Sequence, residues 1–281
     1  MAKKNTKVKP YLKWAGGKRQ LLPVIENYIP DENEINTYYE PFIGAGAVLF
    51  ARQPSHAVIN DHNTQLITTY KVIKEQVDEL IHLLQIHKES NTKEYFYDIR
   101  EQDRKLDKFN TLTDVEKAAR FIYLNKTCYN GLYRVNSQGL FNVPFGKYKN
   151  PAICEEVTLR EINKYFNNSN ISILNGDFSE ALKTASKGDF VYLDPPYHSP
   201  NNMNFTGYQA GGFNEGEQVR LYETFLELSN KNVKCLLSNS DTDFIRDLYK
   251  DFTIHTVKAT RAINSDASKR GKVNEVLVQN W

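Results

Sequence analysis

The sequence predicts an α/β fold: a mostly parallel sheet of seven strands, finished by an antiparallel pair at one edge and interrupted by a helical insertion. Seven short runs rich in β-branched and aromatic residues recur along the 281-residue chain. Several are followed by segments of helical spacing, the alternation that crossover helices impose on a parallel sheet. From the second run onward, residues 55–130 form a stretch of 76 residues without Gly or Pro.

In chain order, the strand candidates are residues 37–42, 57–60, 171–174, 190–193, 233–238, 252–257 and 273–278. Within the breaker-free stretch, Leu66, Ile67, Tyr70, Ile73, Val77, Leu80, Ile81 and Leu84 fall at helical spacing. Val115, Ala118, Ala119 and Ile122 repeat the pattern, so this stretch is expected to be helical. Further helix-like segments stand at 179–186, 217–229 and 241–249. No helix-length pattern separates the last two strand candidates, so they can pair antiparallel. The simplest organisation has residues 1–64 and 155–281 as one domain. Residues 65–154 are then an inserted, mostly helical one that ends in a Gly- and aromatic-containing loop at 129–148. One long loose segment, 201–216, holds Gly207, Gly211, Gly212 and Gly216. Loops of that length are usually functional or disordered.

A formal net charge of +2 excludes a histone-like polycation and an acidic solvating tail. Three segments, 1–20, 117–150 and 255–281, hold 18 of the 36 basic side chains and 2 of the 34 acidic ones. Converging in space, they make a positive face suited to a polyanion; pointing apart, they are ordinary solvated charge. The longest run free of charge and strong polarity, residues 41–51, falls short of the roughly 20 residues a membrane helix needs. The Lys-rich N-terminus leads into no apolar stretch and does not read as a signal peptide. Cys128, Cys154 and Cys235 form neither a disulfide framework nor a zinc motif, and the chain is expected to be reduced and cytoplasmic. His82 and His87 miss the spacing of two ligands on one helical face, and no metal is expected.

Three motifs bear chemistry. In Tyr39-Glu40-Pro41-Phe42-Ile43-Gly44-Ala45-Gly46, a strand ends in a Gly-x-Gly turn whose backbone N–H groups can approach a ligand closely. Leu49 stands where a third Gly of the dinucleotide fingerprint would be, and a plain tight turn accounts for the pair equally well. Asp61 ends the next strand, 15 residues after Gly46. It suits the two hydroxyls of a ribose or the N-cap of a helix. Together the two motifs point to a nucleoside-containing cofactor.

The most specific motif is Asp194-Pro195-Pro196-Tyr197, after the apolar run 190–193. Two prolines stop the strand and stiffen the backbone. The Asp194 carboxylate and the Pro195 carbonyl then present two fixed acceptors, and Tyr197 a stacking face, for a planar aromatic amine. The exocyclic nitrogen of adenine is a poor nucleophile, because its lone pair is delocalised into the ring. Two acceptors on its hydrogens raise its electron density, so that positioning and electrostatics can drive in-line attack on a methyl group carried by a sulfonium. In a duplex, such a base must first be flipped out.

These residues, in order with Lys13-Trp14-Ala15-Gly16-Gly17-Lys18, Asn60-Asp61 and Asn175-Gly176-Asp177-Phe178, resemble the Dam-type (D12 class, group α) DNA adenine N6-methyltransferases. Residues 129–134 and 141–148 resemble the recognition part of the GATC-specific members, and the resemblance extends to Arg270-Gly271-Lys272. It implies a Rossmann-like S-adenosylmethionine-dependent methyltransferase sheet with an inserted target-recognition domain. Trp14, Lys18, Gly44 and Gly46 would then hold the methionine end of S-adenosylmethionine. Asp61 would bind its ribose, and Asp177 and Phe178 its adenine, with Phe42 and Asp194 also lining the cofactor site. Asp194, Pro195, Pro196 and Tyr197 would grip the target adenine. Lys13 and Arg134 would read guanines, Tyr129 and Asn130 would sit near the displaced base, and Leu132 and Pro144 would touch bases. Arg270 and Lys272 would line the same cleft. The partner implied is double-stranded DNA. A restriction endonuclease acting on the same site is compatible with this, as are an orphan role and a phage origin, and no stable complex with such a nuclease is implied.

Other readings stay open at this level. Lys13 and Lys18 also read as phosphate contacts or surface charge, Trp14 as core, and Tyr129 as a packing aromatic. The same catalytic motif serves enzymes acting on other DNA sites, on RNA or on protein, although protein amide methylation usually goes with Asn at the Asp194 position. A non-catalytic nucleic-acid binder would not need Asp194 to Tyr197 intact, and a dehydrogenase leaves that motif unexplained. The segment 201–216 is expected to close over the flipped base.

Overall fold

The structure, a computed structural model, describes residues 8–14, 16–199, 212–260 and 272–281. Arg270, the side chain of Lys272 and most of segment 201–216 lie outside the described residues.

All seven expected strands form, in one sheet. They are β1 (Tyr38–Glu40), β2 (His56–Asp61), β3 (Asn170–Asn175), β4 (Phe190–Leu193), β5 (Lys234–Ser240), β6 (Thr253–Thr260) and β7 (Lys272–Gln279), in the order β3-β2-β1-β4-β5-β7-β6. The first five neighbours run parallel, and β7 runs antiparallel to both β5 and β6. This confirms the α/β class and its antiparallel edge. Strand β1 is shorter than the run 37–42, because Pro41 has no N–H to continue the ladder.

The helices are α1 (Leu22–Ile25), α2 (Ala47–Arg52), α3 (Thr64–Glu75), α4 (Val77–Glu89), α5 (Lys93–Glu101), α6 (Leu106–Thr111), α7 (Asp114–Thr127), α8 (Glu156–Asn168), α9 (Phe178–Leu182), α10 (Glu215–Asn230) and α11 (Asp243–Leu248). The periodic stretch 66–84 is two helices rather than one, broken at Gln76, whose φ of −139° is not helical. Strand side chains alternate between the faces of the sheet. Tyr38, Ile59, Phe190 and Tyr192 pack with α3, α4, α7 and α8 in one apolar cluster. Tyr39, Val191, Leu193 and Cys235 pack with α9, α10 and α11 in a second. Among the described residues, no helix is long and apolar enough to cross a membrane.

Helix α7 begins with a capping box, Thr113 and Glu116, and buries most of its residues. Its Arg120 is 2% exposed and lies 2.9 Å from Asp103 Oδ2. Arg120 Nε also donates to the Ile99 carbonyl at 2.9 Å. The same Asp103 oxygen accepts the Phe141 N–H at 3.0 Å, and Arg104, itself paired with Asp103, donates to the Phe141 carbonyl at 2.6 Å. A polar knot in the helical part therefore fastens the irregular segment after α7, which folds back through the antiparallel bridges Val135–Phe141 and Cys128–Phe145. Removing one member of a buried ion pair strands its partner's charge. Asp103→Ala is expected to lower stability by about 3–5 kcal/mol, measured by urea unfolding; a loss below about 1 kcal/mol would show that the backbone carbonyls alone satisfy Arg120.

Candidate active site at the carboxyl edge of the sheet

From β1 the chain moves outward to β2 and β3, then returns to β4 on the other side of β1. The carboxyl ends of these parallel strands share one edge, and the reversal between β1 and β4 opens the crevice where ligands bind in such sheets. Each chemistry-bearing motif follows the end of one of these strands, apart from the N-terminal loop that folds over them.

The turn after β1 has Gly44 at φ +47° and Gly46 at φ +70°. A Cβ on Gly44 would stand 2.9 Å from Trp14 Cδ1, so the indole lies directly on this turn. From below, Tyr70 of α3 donates its hydroxyl to the Gly44 carbonyl at 2.8 Å. At the end of β2, Asp61 accepts the Gly44 N–H at 3.1 Å and the Asn63 N–H at 2.9 Å, on different oxygens. The N-cap of α3 is Asn63, not Asp61. That removes the capping alternative for Asp61 and leaves it as the brace between two strand ends.

Asp194 follows β4. Its side chain is 19% exposed, and Lys18 Nζ stands 2.7 Å from its Oδ1. At that distance the ammonium is itself the donor to the buried Oδ1, in a charge-assisted pair. Burial pushes the Asp194 carboxyl up to about 6; the Lys18 ammonium opposes that shift, and the charge of Glu275 adds to it. Near neutral pH it is therefore an ionised acceptor. Lys18 is 5% exposed, donates to the Gly16 carbonyl at 2.8 Å and lies 4.5 Å from the centre of the Tyr197 ring. Pro195 is buried, and Gln218 Nε2 holds the carbonyl of Pro196 at 2.9 Å, one residue beyond the carbonyl assigned to the substrate.

After β3, Phe178 packs against Phe42 at 5.3 Å and Phe213 at 6.1 Å between ring centres. Asp177 caps α9 through Ser179 and is bound by both terminal nitrogens of Arg220, at 2.9 and 2.7 Å. The guanidinium holds the Asp177 carboxyl well below the usual carboxylate range. Arg220 also lies 4.2 Å over the Phe178 ring.

The N-terminal loop is tied to α7 and the segment after it by Asn125 and by the side chains of Lys13 and Trp14. Asn125, fully buried, accepts the Lys13 N–H at 3.0 Å and donates to the carbonyls of Lys13 and Gly131 at 2.7 and 3.2 Å. Lys13 crosses Gly131, where any Cβ would overlap it, and its ammonium sits 4.0 Å over the Tyr148 ring. Trp14 stacks on Tyr133 at 5.7 Å with 16° between planes. Around this seam Tyr129 is 55% exposed, Asn130, Arg134 and Pro144 are exposed, and Leu132 is half-buried. Arg134 Nε donates to Asn142 Oδ1 at 2.9 Å, and the Pro144 carbonyl accepts the Tyr129 N–H at 2.8 Å. The first two basic segments thus meet, although Glu155 neutralises part of them by pairing with both Lys9 and Lys126. Arg220, Glu275, Asn125 and the stacking of Tyr133 on Trp14 went unread in the sequence. Each acts through a partner distant in the chain, and no local pattern marks it.

Residues 14–263 match the family described as D12 class N6 adenine-specific DNA methyltransferase. The chain is 45% identical over 284 residues to the Type II methyltransferase M1.LlaDCHI of Lactococcus lactis subsp. cremoris, covering 100% of this chain and 98% of the relative. It is 42% identical over 291 residues to the Type II methyltransferase M.MjaIII of Methanocaldococcus jannaschii, covering 98% and 99%. It is 35% identical over 275 residues to the DNA adenine methylase of Escherichia coli, covering 96% and 95%.

Glu40, 3% exposed at the end of β1, accepts the Tyr38 hydroxyl at 2.6 Å and the Leu49 N–H at 3.1 Å. Burial pushes its carboxyl from 4.5 up to about 8, against the opposing hydrogen bond from Tyr38. A carboxyl raised on folding contributes stability that is complete below its unfolded value and is lost as pH rises through the folded one. Glu40→Gln keeps an acceptor and does not titrate. Its melting temperature relative to wild type should therefore rise between about pH 5 and about pH 9; a constant difference across that range would show that Glu40 is ionised throughout.

Proposed function

Because the chain belongs to the family of D12 class N6 adenine-specific DNA methyltransferases, we propose that it transfers the methyl group of S-adenosylmethionine to N6 of an adenine flipped out of duplex GATC. What supports this most directly is the Asp194 carboxylate, paired with Lys18, at the crevice where β1 and β4 part. A carboxylate has more lone pairs than the one that faces the ammonium, and an amino group can donate to them.

The residues at the strand ends fit the cofactor. Each Asp61 oxygen accepts one backbone N–H from Gly44 or Asn63, which leaves lone pairs for the two ribose hydroxyls. Asp177 Oδ2 accepts only Arg220 Nη2 among its bonds, whereas Oδ1 takes three. Its spare lone pair suits an adenine amine beside the Phe178 and Phe42 rings. Trp14, Lys18 and the turn at Gly44 and Gly46 would take the methionine end. The bound cofactor supplies a methyl group on a positively charged sulfur.

The protein's own part is positional. Asp194 and the Pro195 carbonyl draw on the two hydrogens of the amine, and Pro195 and Pro196 keep those acceptors from relaxing as charge develops on nitrogen. Lys18 keeps the carboxylate ionised, since a protonated acid would donate where an acceptor is needed. Tyr197 offers its ring to the flipped base. Residues 65–154 act as the target-recognition domain, and 1–64 with 155–281 as the catalytic one. Arg134 and Lys13 would read guanines, Tyr129 with Asn130 would occupy the gap left by the base, and Leu132 and Pro144 would make apolar contacts. Arg270 and Lys272 would extend the same cleft. The site GATC rests on the resemblance of 129–134 and 141–148. A restriction endonuclease that cuts the same sequence, without a stable complex, is compatible with this reading.

The test is purified protein, tritiated cofactor and duplexes differing only in GATC against GTTC. Label should enter the first alone. Equal incorporation would overturn the site, and none in either would overturn the activity. Arg134→Ala should relax discrimination at one base pair by about 1–3 kcal/mol, read from the ratio of kcat/KM for matched and mismatched duplexes. A loss uniform across sequences would make Arg134 a phosphate contact instead.

A further inference from the structure

Tyr197 is held on all sides. Gln218 fixes the carbonyl of Pro196 before it, at 2.9 Å, and Asn239 Oδ1 accepts the His198 N–H after it, at 3.1 Å. Asn239 also donates to Gln218 Oε1 at 3.0 Å, and both amide side chains are fully buried. The backbone on either side of Tyr197 is thereby locked, and what remains free is the swing of the ring. That freedom is removed from the far strand: the phenol donates to Glu275 Oε2 of β7 at 2.7 Å, and Glu275 is 8% exposed.

A carboxylate is an expensive group for this task. Glu275 stands close enough to Asp194 for its charge to oppose ionisation there, and it lies in a cleft that would receive a polyanion. Strand β7 does not need it, because Glu275 sits in paired register with Ser240 on one side and Val257 on the other. What Glu275 provides is an acceptor for the phenol, at 2.7 Å. The phenol is the far end of the Tyr197 side chain, so anchoring it stops the ring from swinging about its stem.

We propose that Glu275 is a positioning residue for methyl transfer, fixing the Tyr197 ring by its hydroxyl in the plane on which the target base stacks. This rests on the assignment of Asp194 to Tyr197 as the target-base pocket. In this role Glu275 acts through Tyr197, to which it is hydrogen-bonded. Its removal should therefore slow the chemical step without weakening the ligands.

The experiment compares wild type with Glu275→Ala, Glu275→Gln, Tyr197→Phe and the double variant Glu275→Ala/Tyr197→Phe. Single-turnover transfer is measured to a duplex that wild type methylates, with cofactor affinity by calorimetry. Glu275→Ala should lose about tenfold or more in rate, since small misplacements of a positioned group are costly. The KM for duplex and the cofactor affinity should stay within about twofold, because in this role Glu275 acts through Tyr197. Glu275→Gln should recover to within about threefold of wild type, since its amide oxygen still accepts. The double variant should be no slower than Glu275→Ala, as expected for two groups sharing one interaction. A Glu275→Ala rate within about twofold of wild type, or additive losses in the double variant, would overturn the role. Tyr197→Phe and Glu275→Gln keep the test decisive if Glu275→Ala does not fold. Absence of transfer by the wild type to any adenine-containing duplex would instead overturn the assignment of the pocket, and this role with it.

Discussion

A carboxylate at the end of a buried parallel strand stays charged only if a cation is brought to it. Here the cation is Lys18, from the other end of the chain, 2.7 Å from Asp194 Oδ1. Burial alone drives the carboxyl upward, and the ammonium limits the rise to about 6. Much of the site follows from this pairing. To deliver Lys18, the N-terminal loop must cross the strand ends, and in crossing it lays Trp14 over the Gly44 turn and Lys13 against Gly131. The pairing occupies one side of Oδ1 and leaves the other lone pairs of the carboxylate for a donor.

The loop that delivers Lys18 also couples the sheet to the helical part. Asn125 binds Lys13 through both its N–H and its carbonyl, and Trp14 stacks on Tyr133. Tyr133 adjoins Arg134 in the segment resembling a recognition element. Asp103 and Arg104 fasten that segment from behind through both backbone groups of Phe141. The exposed residues Tyr129, Asn130 and Arg134 are thus joined to the turn under Trp14 by packed rings and buried hydrogen bonds.

The strand ends concentrate acid. Glu40, Asp61, Asp194 and Glu275 are all partly or fully buried there, and the nearest cation in the described site is Lys18. Burial shifts Glu40, Asp61 and Asp194 upward, and like charges add to the shift of Glu40 and Asp194. Asp177, lying farther out, is shifted the other way because Arg220 grips it. Three carboxylates thus become weaker acids through burial, and one a stronger acid through its guanidinium, within a single crevice.

The seven strands, their α/β order and the antiparallel edge were legible in the sequence, because period, Gly and Pro placement are local signals. So were the motifs at the strand ends, since Asp194-Pro195-Pro196-Tyr197 and the Gly44 turn are contiguous in the chain. The break of the periodic stretch at Gln76 was not legible, because apolar spacing runs on through a change of helix axis. Nor was the choice of Asn63 over Asp61 as the cap of α3, which depends on where the strand delivers each side chain. The sequence by itself determined which chemical groups stand at the ends of the parallel strands. Only the tertiary structure decided their partners: Lys18 for Asp194, Arg220 for Asp177, Glu275 for Tyr197 and Asn125 for Lys13. Each pair joins residues far apart in the chain, and such choices are made by the packing that brings them together, not by any local pattern of residues.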